Sequence, residues 1–188
     1  MTALAKPAKP VTMSTPINRG SAFRAAIILV PLFELLGGLM ARVSGSTVTN
    51  EWYQSLTLPL YQPPGPVFGI VWSILYAMMA IAVALVWAHK SAPGRGLALA
   101  LFTLQFLFNL AWSPLFFKYH QMLPALGLIG AIFVVALAAT FAFGRISRTA
   151  AWLMVPYLMW LGVAASLNFR VWQLNPAAAA PVSALFGG

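Results

Sequence analysis

The sequence predicts an all-α membrane protein, a bundle of five transmembrane helices. Three observations predict it: the composition, the scarcity of charge, and five long apolar runs. Of the 188 residues, 61% are hydrophobic and 7% are charged, whereas a soluble domain carries about 25% charged residues. So few charges cannot cover a surface that faces only water, so part of the surface must face lipid.

Each apolar run is long enough to cross about 30 Å of hydrocarbon, which takes about 20 helical residues. The predicted spans are approximately 22–43, 66–89, 96–117, 122–143 and 150–172. They form one domain, 22–175, between a disordered N-terminal tail, 1–21, and a C-terminal tail, 176–188. The first span is expected to be an uncleaved helix, because its apolar core exceeds the about 7–15 residues of a signal peptide and contains Glu34.

The distribution of basic residues predicts the orientation. The net charge of +9 comes from Lys and Arg at the ends of apolar runs, which is typical of membrane topology rather than of a nucleic-acid-binding patch. With the N-terminus inside, the inner segments hold Lys6, Lys9, Arg19, Arg24, Lys90, Arg95, Arg145 and Arg148, and the outer ones hold Arg42, Lys118 and Arg170. This excess predicts a cytoplasmic N-terminus. Short loops, and a tail without an Arg-rich amphipathic helix, favour a bacterial inner membrane.

Residues 58–76, LPLYQPPGPVFGIVWSILY, join an uncharged proline-rich loop to the second span. The loop carries Tyr61, Pro63 and Pro64, and Phe68 and Trp72 follow in the helix. Such a loop predicts either a lid over an apolar cavity or an anchor at the membrane interface.

Two later spans each carry a face of amides and aromatic rings. In the third span, an arc of about 60° contains Gln105, Asn109, Trp112 and Phe116. In the fifth, an arc of about 120° contains Tyr157, Trp160, Ala164, Asn168 and Trp172. Together they predict an apolar cavity with a few orienting amides. The alternative is that the amides only join helices and the indoles form an interfacial belt.

Glu34 and a pair of small residues are the other unusual features inside the spans. Glu34 is either a proton or cation site or a protonated carboxyl bonded to a neighbouring helix, and the second is favoured because no charged partner lies at its depth. Gly127 and Ala131 predict close packing against another helix of this chain or of a second copy. A homodimer is weakly favoured.

Catalytic and metal-binding motifs are missing from the sequence. The chain has no cysteine and no phosphate-binding loop, and His89 and His120 lie at span ends. No catalytic residue, metal site or obligatory cofactor is therefore predicted.

Several motifs occur in order between residues 52 and 175. They are Trp52-Tyr53; Leu58-Pro59-x-Tyr61-x-Pro63-Pro64; Phe68, Trp72, Leu75 and Tyr76; Gln105, Asn109, Trp112 and Phe116-Phe117; and Pro156-Tyr157, Trp160, Leu167-Asn168 and Asn175. In these the chain resembles the translocator protein family, also called tryptophan-rich sensory proteins or the TspO/MBR family. It departs from the family pattern at Leu58 (commonly Lys), Tyr61 (commonly Trp) and Pro66 (frequently Trp).

The resemblance implies a five-helix bundle, often a homodimer, with a pocket beneath the loop between the first two helices. Family members bind porphyrins such as protoporphyrin IX, and some bind cholesterol. A sterol site is not expected here, since Phe169 and Gln173 break the family's recognition pattern. The implied ligand-binding residues are Trp52, Tyr61, Pro63, Pro64, Trp72, Asn109, Trp112, Tyr157, Trp160 and Asn168.

The favoured hypothesis is a membrane binding protein or sensor for porphyrins and related hydrophobic small molecules, acting in their transport or in tetrapyrrole-linked stress regulation. Arg42 is a candidate partner for a porphyrin propionate. One alternative is a light-dependent porphyrin-degrading enzyme, which the smaller number of indoles near the lid makes less favourable. The other is a membrane scaffold without a small-molecule ligand.

Overall fold

Five long helices form the bundle in the computed structural model, which describes residues 19–46 and 50–178. The helices are α1 (Arg19–Val43), α2 (Glu51–Gln54), α3 (Gly65–Ala88), α4 (Arg95–Ser113), α5 (Met122–Gly144) and α6 (Arg148–Leu174), and a π-helical turn, Pro114–Lys118, extends α4. All except α2 are long and apolar enough to span a membrane, which confirms the predicted fold class. The predicted tails fall largely outside the described residues, and α1 already begins at Arg19.

Turn and capping residues set the helix boundaries. The Ser147 hydroxyl accepts a hydrogen bond from the Ala150 N–H at 3.3 Å and so caps α6. Gly94 precedes α4 with φ +78°, a conformation that glycine adopts without strain. Asn50 caps the short helix α2, accepting from the Tyr53 N–H at 2.8 Å.

The packing order of the helices leaves room inside one half of the bundle. Helix α1 packs on α3, α3 on α6, α6 on α5 and α5 on α4, whereas α4 makes few contacts with α1 and α3. The apolar core fills the half away from residues 50–64, which lead into α3. There Phe33 stacks on Phe106 with ring centroids 4.3 Å apart, and Phe102 stacks on Phe143 at 5.8 Å.

The small residues of α5 face outward. Gly127, Gly130 and Ala131 are exposed, and a Cβ atom built on either glycine would have no neighbour within 4 Å. Within residues 19–46 and 50–178 they therefore seat no other helix.

A second apolar cluster attaches residues 50–64, the described part of the connection next to α3, to the bundle. Leu56 is buried against Phe116, Met122 and Val171. The Tyr61 hydroxyl donates to the Ser166 carbonyl at 3.3 Å. The connection thus lies over the end of the bundle where α4 and α6 finish.

Candidate ligand cavity

A cavity of about 920 Å³ lies among the five long helices, beneath residues 50–64 of the connection between α1 and α3. Its volume falls within the roughly 300–1,000 Å³ typical of small-molecule sites. Its aromatic wall includes Phe68, Trp72, Tyr76, Trp112, Phe116 and Trp160, and its cover includes Tyr53, Leu58, Gln62, Pro63 and Pro64. The proline loop therefore covers a cavity, as the first of the two sequence interpretations expected.

The predicted site residues divide into two groups. Those that line the cavity are Pro63, Pro64, Trp72, Asn109, Trp112, Trp160 and Asn168. Trp52, Tyr61 and Tyr157 do not line it. Ligand binding by any of these ten residues stays a prediction. The three residues outside the cavity wall contact other parts of the protein instead.

Tyr157 lies behind the cavity wall, completely buried, in a chain of hydrogen bonds. Its hydroxyl donates to Gln105 Oε1 at 2.8 Å and accepts from Asn109 Nδ2 at 3.4 Å. Asn109 Oδ1 in turn accepts from the Tyr76 hydroxyl at 3.1 Å. The chain fixes the Asn109 amide and connects α3, α4 and α6.

Trp52 holds the connection in place from outside the cavity. Its indole stacks on His120 with ring centroids 4.1 Å apart, and its Nε1 donates to the Ala178 carbonyl at 3.3 Å. Burial lowers the pKa of His120 below its ordinary 6.5, which favours the neutral ring against the indole. Like Tyr61, Trp52 positions the cover of the cavity.

Asn168 joins three helices at the mouth of the cavity. Its Oδ1 accepts from Trp112 Nε1 at 3.3 Å, and its Nδ2 donates to the Met122 carbonyl at 2.8 Å. The indole of Trp112 is thereby held edge-on to α6. Asn168 thus combines a cavity-lining position with the interhelical role that the alternative interpretation proposed.

Two buried polar atoms of cavity-lining residues have no hydrogen-bond partner within the described chain. They are the indole Nε1 of Trp160 and Oε1 of Gln62. Gln62 Nε2 donates to the Tyr53 hydroxyl at 2.9 Å, which fixes the amide. Burial raises the pKa of Tyr53 above its ordinary 10.0, so this hydroxyl is neutral at physiological pH. Sequence analysis missed Gln62, because a single loop amide belongs to no helical face.

Glu34 also lines the cavity. The expectation that its carboxyl bonds to a neighbouring helix was wrong: among the described residues Glu34 has no hydrogen-bond partner. Its side chain is half-buried, and the Tyr76 phenol lies near enough to interact with it electrostatically. Arg42, the base expected to meet a propionate, is exposed and does not line the cavity.

Within residues 19–46 and 50–178, no group of three or more His, Asp or Glu side chains is placed to hold a metal ion.

The chain matches known proteins over most of its length. The model of the TspO/MBR family matches residues 26–173. A tryptophan-rich sensory protein of Cereibacter sphaeroides is 36% identical over 126 residues, which cover 67% of this chain and 78% of that protein. The tryptophan-rich protein TspO of Chlorobaculum tepidum is 36% identical over 141 residues, covering 71% and 87%. The human translocator protein is 38% identical over 127 residues, covering 66% and 75%. With a family match across all five spans, this chain belongs to the TspO/MBR family.

Proposed function

We propose that this membrane protein binds a flat, hydrophobic ligand of the porphyrin class in the cavity, and that occupancy serves sensing or transfer of that ligand. The observation that carries the proposal is a cavity of about 920 Å³ with an aromatic wall and a proline-rich cover. The names of the relatives, a sensory protein and a translocator, agree with a binding role. The porphyrin class comes from the family resemblance.

The unpartnered atoms indicate where a ligand makes polar contacts. A buried polar atom without a partner costs about 1–3 kcal/mol, and a ligand that pairs with it recovers this cost. Both atoms are buried, so a ligand reaches them only after the side chains rotate. Trp160 Nε1 would then donate to an acceptor on the ligand, and Gln62 Oε1 would accept from a donor such as a pyrrole N–H. The oxygen and the nitrogen of the Asn109 side-chain amide both form hydrogen bonds within the protein. Asn109 therefore acts by fixing the position of the cavity wall.

The aromatic rings supply surface for a flat ligand. Phe68 holds the Trp160 indole edge-on, with ring centroids 5.7 Å apart and planes at 71°. Trp112 stacks on Phe116 at 5.2 Å. Rings fixed by such contacts lose little freedom when a ligand stacks on them, which favours affinity.

The protein is further proposed to lie in a bacterial inner membrane, because its loops are short and its N-terminal tail has no Arg-rich amphipathic helix. A cytoplasmic N-terminus is proposed from the distribution of its basic residues. A homodimer is proposed through the exposed small residues Gly127, Gly130 and Ala131, which permit close approach of two helices. Crosslinking of Gly130→Cys in membranes tests this interface, and no dimer-specific crosslink at that position would contradict it.

The binding proposal is tested by titrating the purified protein in detergent with protoporphyrin IX in the dark, following tryptophan quenching. Asn109→Ala and Trp160→Ala are expected to raise Kd about tenfold or more, equivalent to about 1.4 kcal/mol. Trp152→Ala is the matched control, because Trp152 is also on α6 but is 71% exposed and outside the cavity. Equal affinity in all four proteins would make the aromatic faces packing surfaces, as the scaffold alternative holds.

A further inference from the structure

We propose that Glu34 makes the cavity selective for a flat hydrophobic ligand carrying a protonated amine, which the Glu34 carboxylate binds within the membrane. The inference rests on the proposed function, because it names the charge class of ligand that the same cavity takes. It comes from the position of Glu34, its lack of a hydrogen-bond partner among the described residues, and the absence of Lys, Arg and His from the described cavity lining.

The position of Glu34 is fixed by its neighbours on α1. Gly37, one turn further along the same face, lies directly against the Tyr76 ring, where a Cβ atom would overlap the ring carbons. Glu34, Gly37 and Tyr76 all line the cavity. Val43 ends α1 nine residues later, so at 1.5 Å per residue Glu34 lies about 14 Å below the covered mouth. The carboxyl is therefore deep in the membrane-spanning part of the cavity.

No group of the described chain neutralises this carboxyl. It forms no hydrogen bond there, and the nearby Tyr76 hydroxyl donates to Asn109 instead. No Lys, Arg or His is among the described residues that line the cavity. A lone carboxylate at this depth is unfavourable unless it is paired. A cationic ligand is the partner whose charge and hydrogen-bond donors match it.

This arrangement also orients an anionic ligand. A porphyrin with propionate groups has to keep them away from Glu34, because two carboxylates close together repel each other. The propionates then lie toward the mouth, beneath residues 50–64. The cavity should consequently rank ligands of one shape by charge: amine first, alcohol second and carboxylate last.

The test uses pyrenemethylamine, pyrenemethanol and pyrenecarboxylate, which share one fused aromatic ring system and differ in charge. Each is titrated near neutral pH in a non-ionic detergent, with energy transfer from tryptophan to pyrene as the signal. The wild-type protein is expected to bind the amine about tenfold more tightly than the alcohol, an advantage equivalent to about 1.4 kcal/mol.

Glu34→Gln keeps the size and polarity of the side chain and removes its charge. It is expected to reduce the amine preference to about twofold or less, consistent with loss of a charge-assisted bond. Glu51→Gln is the matched control: Glu51 is the only other acidic residue of the chain, and it is exposed on α2 outside the cavity. The control should keep the preference in full. Thermal unfolding in the same detergent establishes that each variant is folded.

Three results would overturn the inference: no saturable binding of the amine, equal affinity for amine and alcohol in the wild type, or a preference that survives Glu34→Gln. A parallel titration with protoporphyrin IX separates this failure from failure of the proposed function. If porphyrin binding is saturable and lost in Trp160→Ala, the cavity site stands whatever the pyrene series shows.

Discussion

Asn175 and Thr57 exchange two hydrogen bonds at the mouth of the bundle. The Thr57 N–H donates to Asn175 Oδ1 at 2.8 Å, and Asn175 Nδ2 donates to the Thr57 carbonyl at 2.9 Å. Nδ2 also donates to the Val171 carbonyl on α6 at 2.8 Å. A single side chain thus anchors the cover of the cavity to the last turn of a membrane-spanning helix.

Asn175→Ala is expected to loosen this cover. Each lost hydrogen bond contributes about 0.5–1.5 kcal/mol, so amide exchange of the segment around Thr57 should accelerate about tenfold or more. Hydrogen exchange with mass spectrometry measures this. Gln173→Ala is the control, since Gln173 is exposed and bonds only to Arg170. Equal exchange in both variants would mean that the apolar cluster around Leu56 holds the cover without Asn175.

The buried chain from Tyr76 through Asn109 and Tyr157 to Gln105 should stabilise the bundle. Asn109→Ala breaks two of its bonds and is expected to lower the free energy of unfolding by about 1–3 kcal/mol, given about 0.6–1.7 kcal/mol for one bond between membrane helices. Tyr76→Phe breaks one and should cost less. Unfolding in mixed micelles measures the free energy of unfolding of both variants. A larger effect of Tyr76→Phe would contradict this assignment.

Gly37 and Gly38 offer a matched test of the contact between α1 and α3. A methyl group at Gly37 would overlap the Tyr76 ring, whereas one at Gly38 would have no neighbour within 4 Å. Gly37→Ala is therefore expected to destabilise the protein by about 1–3 kcal/mol, and Gly38→Ala to be close to neutral. Thermal unfolding in detergent distinguishes them. Equal midpoints for the two variants would show that Tyr76 moves aside freely.

Acidification should weaken the stack of Trp52 on His120. The pKa of His120 in the folded protein lies below its ordinary 6.5, because burial disfavours the charged ring. The neutral His120 ring contributes fully to the free energy of unfolding above pH 6.5. That contribution falls as the pH drops toward the folded-state pKa, because the unfolded chain binds the proton more readily than the folded chain. Unfolding midpoints across this range should decline less steeply in His120→Asn. An unchanged slope would remove His120 from the pH response.

The fold was predictable because lipid imposes long apolar helices, and the helical period then identified which amides face inward. Gln105, Asn109 and Asn168 are all buried, as their arcs indicated. The helical period does not distinguish a residue that lines the cavity from a residue buried behind the cavity wall. Tyr157 and Trp160 lie on one predicted face, yet only Trp160 reaches the cavity, because α4 covers Tyr157.

Other features depended on contacts that the local sequence does not encode. Trp52 lies outside the cavity because its indole pairs with His120, whose backbone adopts φ +56° in the short turn before α5. Glu34 was expected to bond to another helix. The sparse contact of α4 with α1 and α3 leaves space there instead, so its carboxyl faces the cavity.

The central claim is that the ligand occupies this cavity, and filling the cavity tests it most directly. Gly38→Phe places a ring in the cavity, because Gly38 lines it and has no neighbour near its missing Cβ. Gly162→Phe is the control, since that glycine is equally unobstructed but exposed on α6 outside the cavity. Titration with protoporphyrin IX in the dark should give a Kd raised about tenfold or more by Gly38→Phe, equivalent to about 1.4 kcal/mol, and unchanged by Gly162→Phe. The same Kd for both variants and the wild type would place the porphyrin elsewhere and contradict the claim.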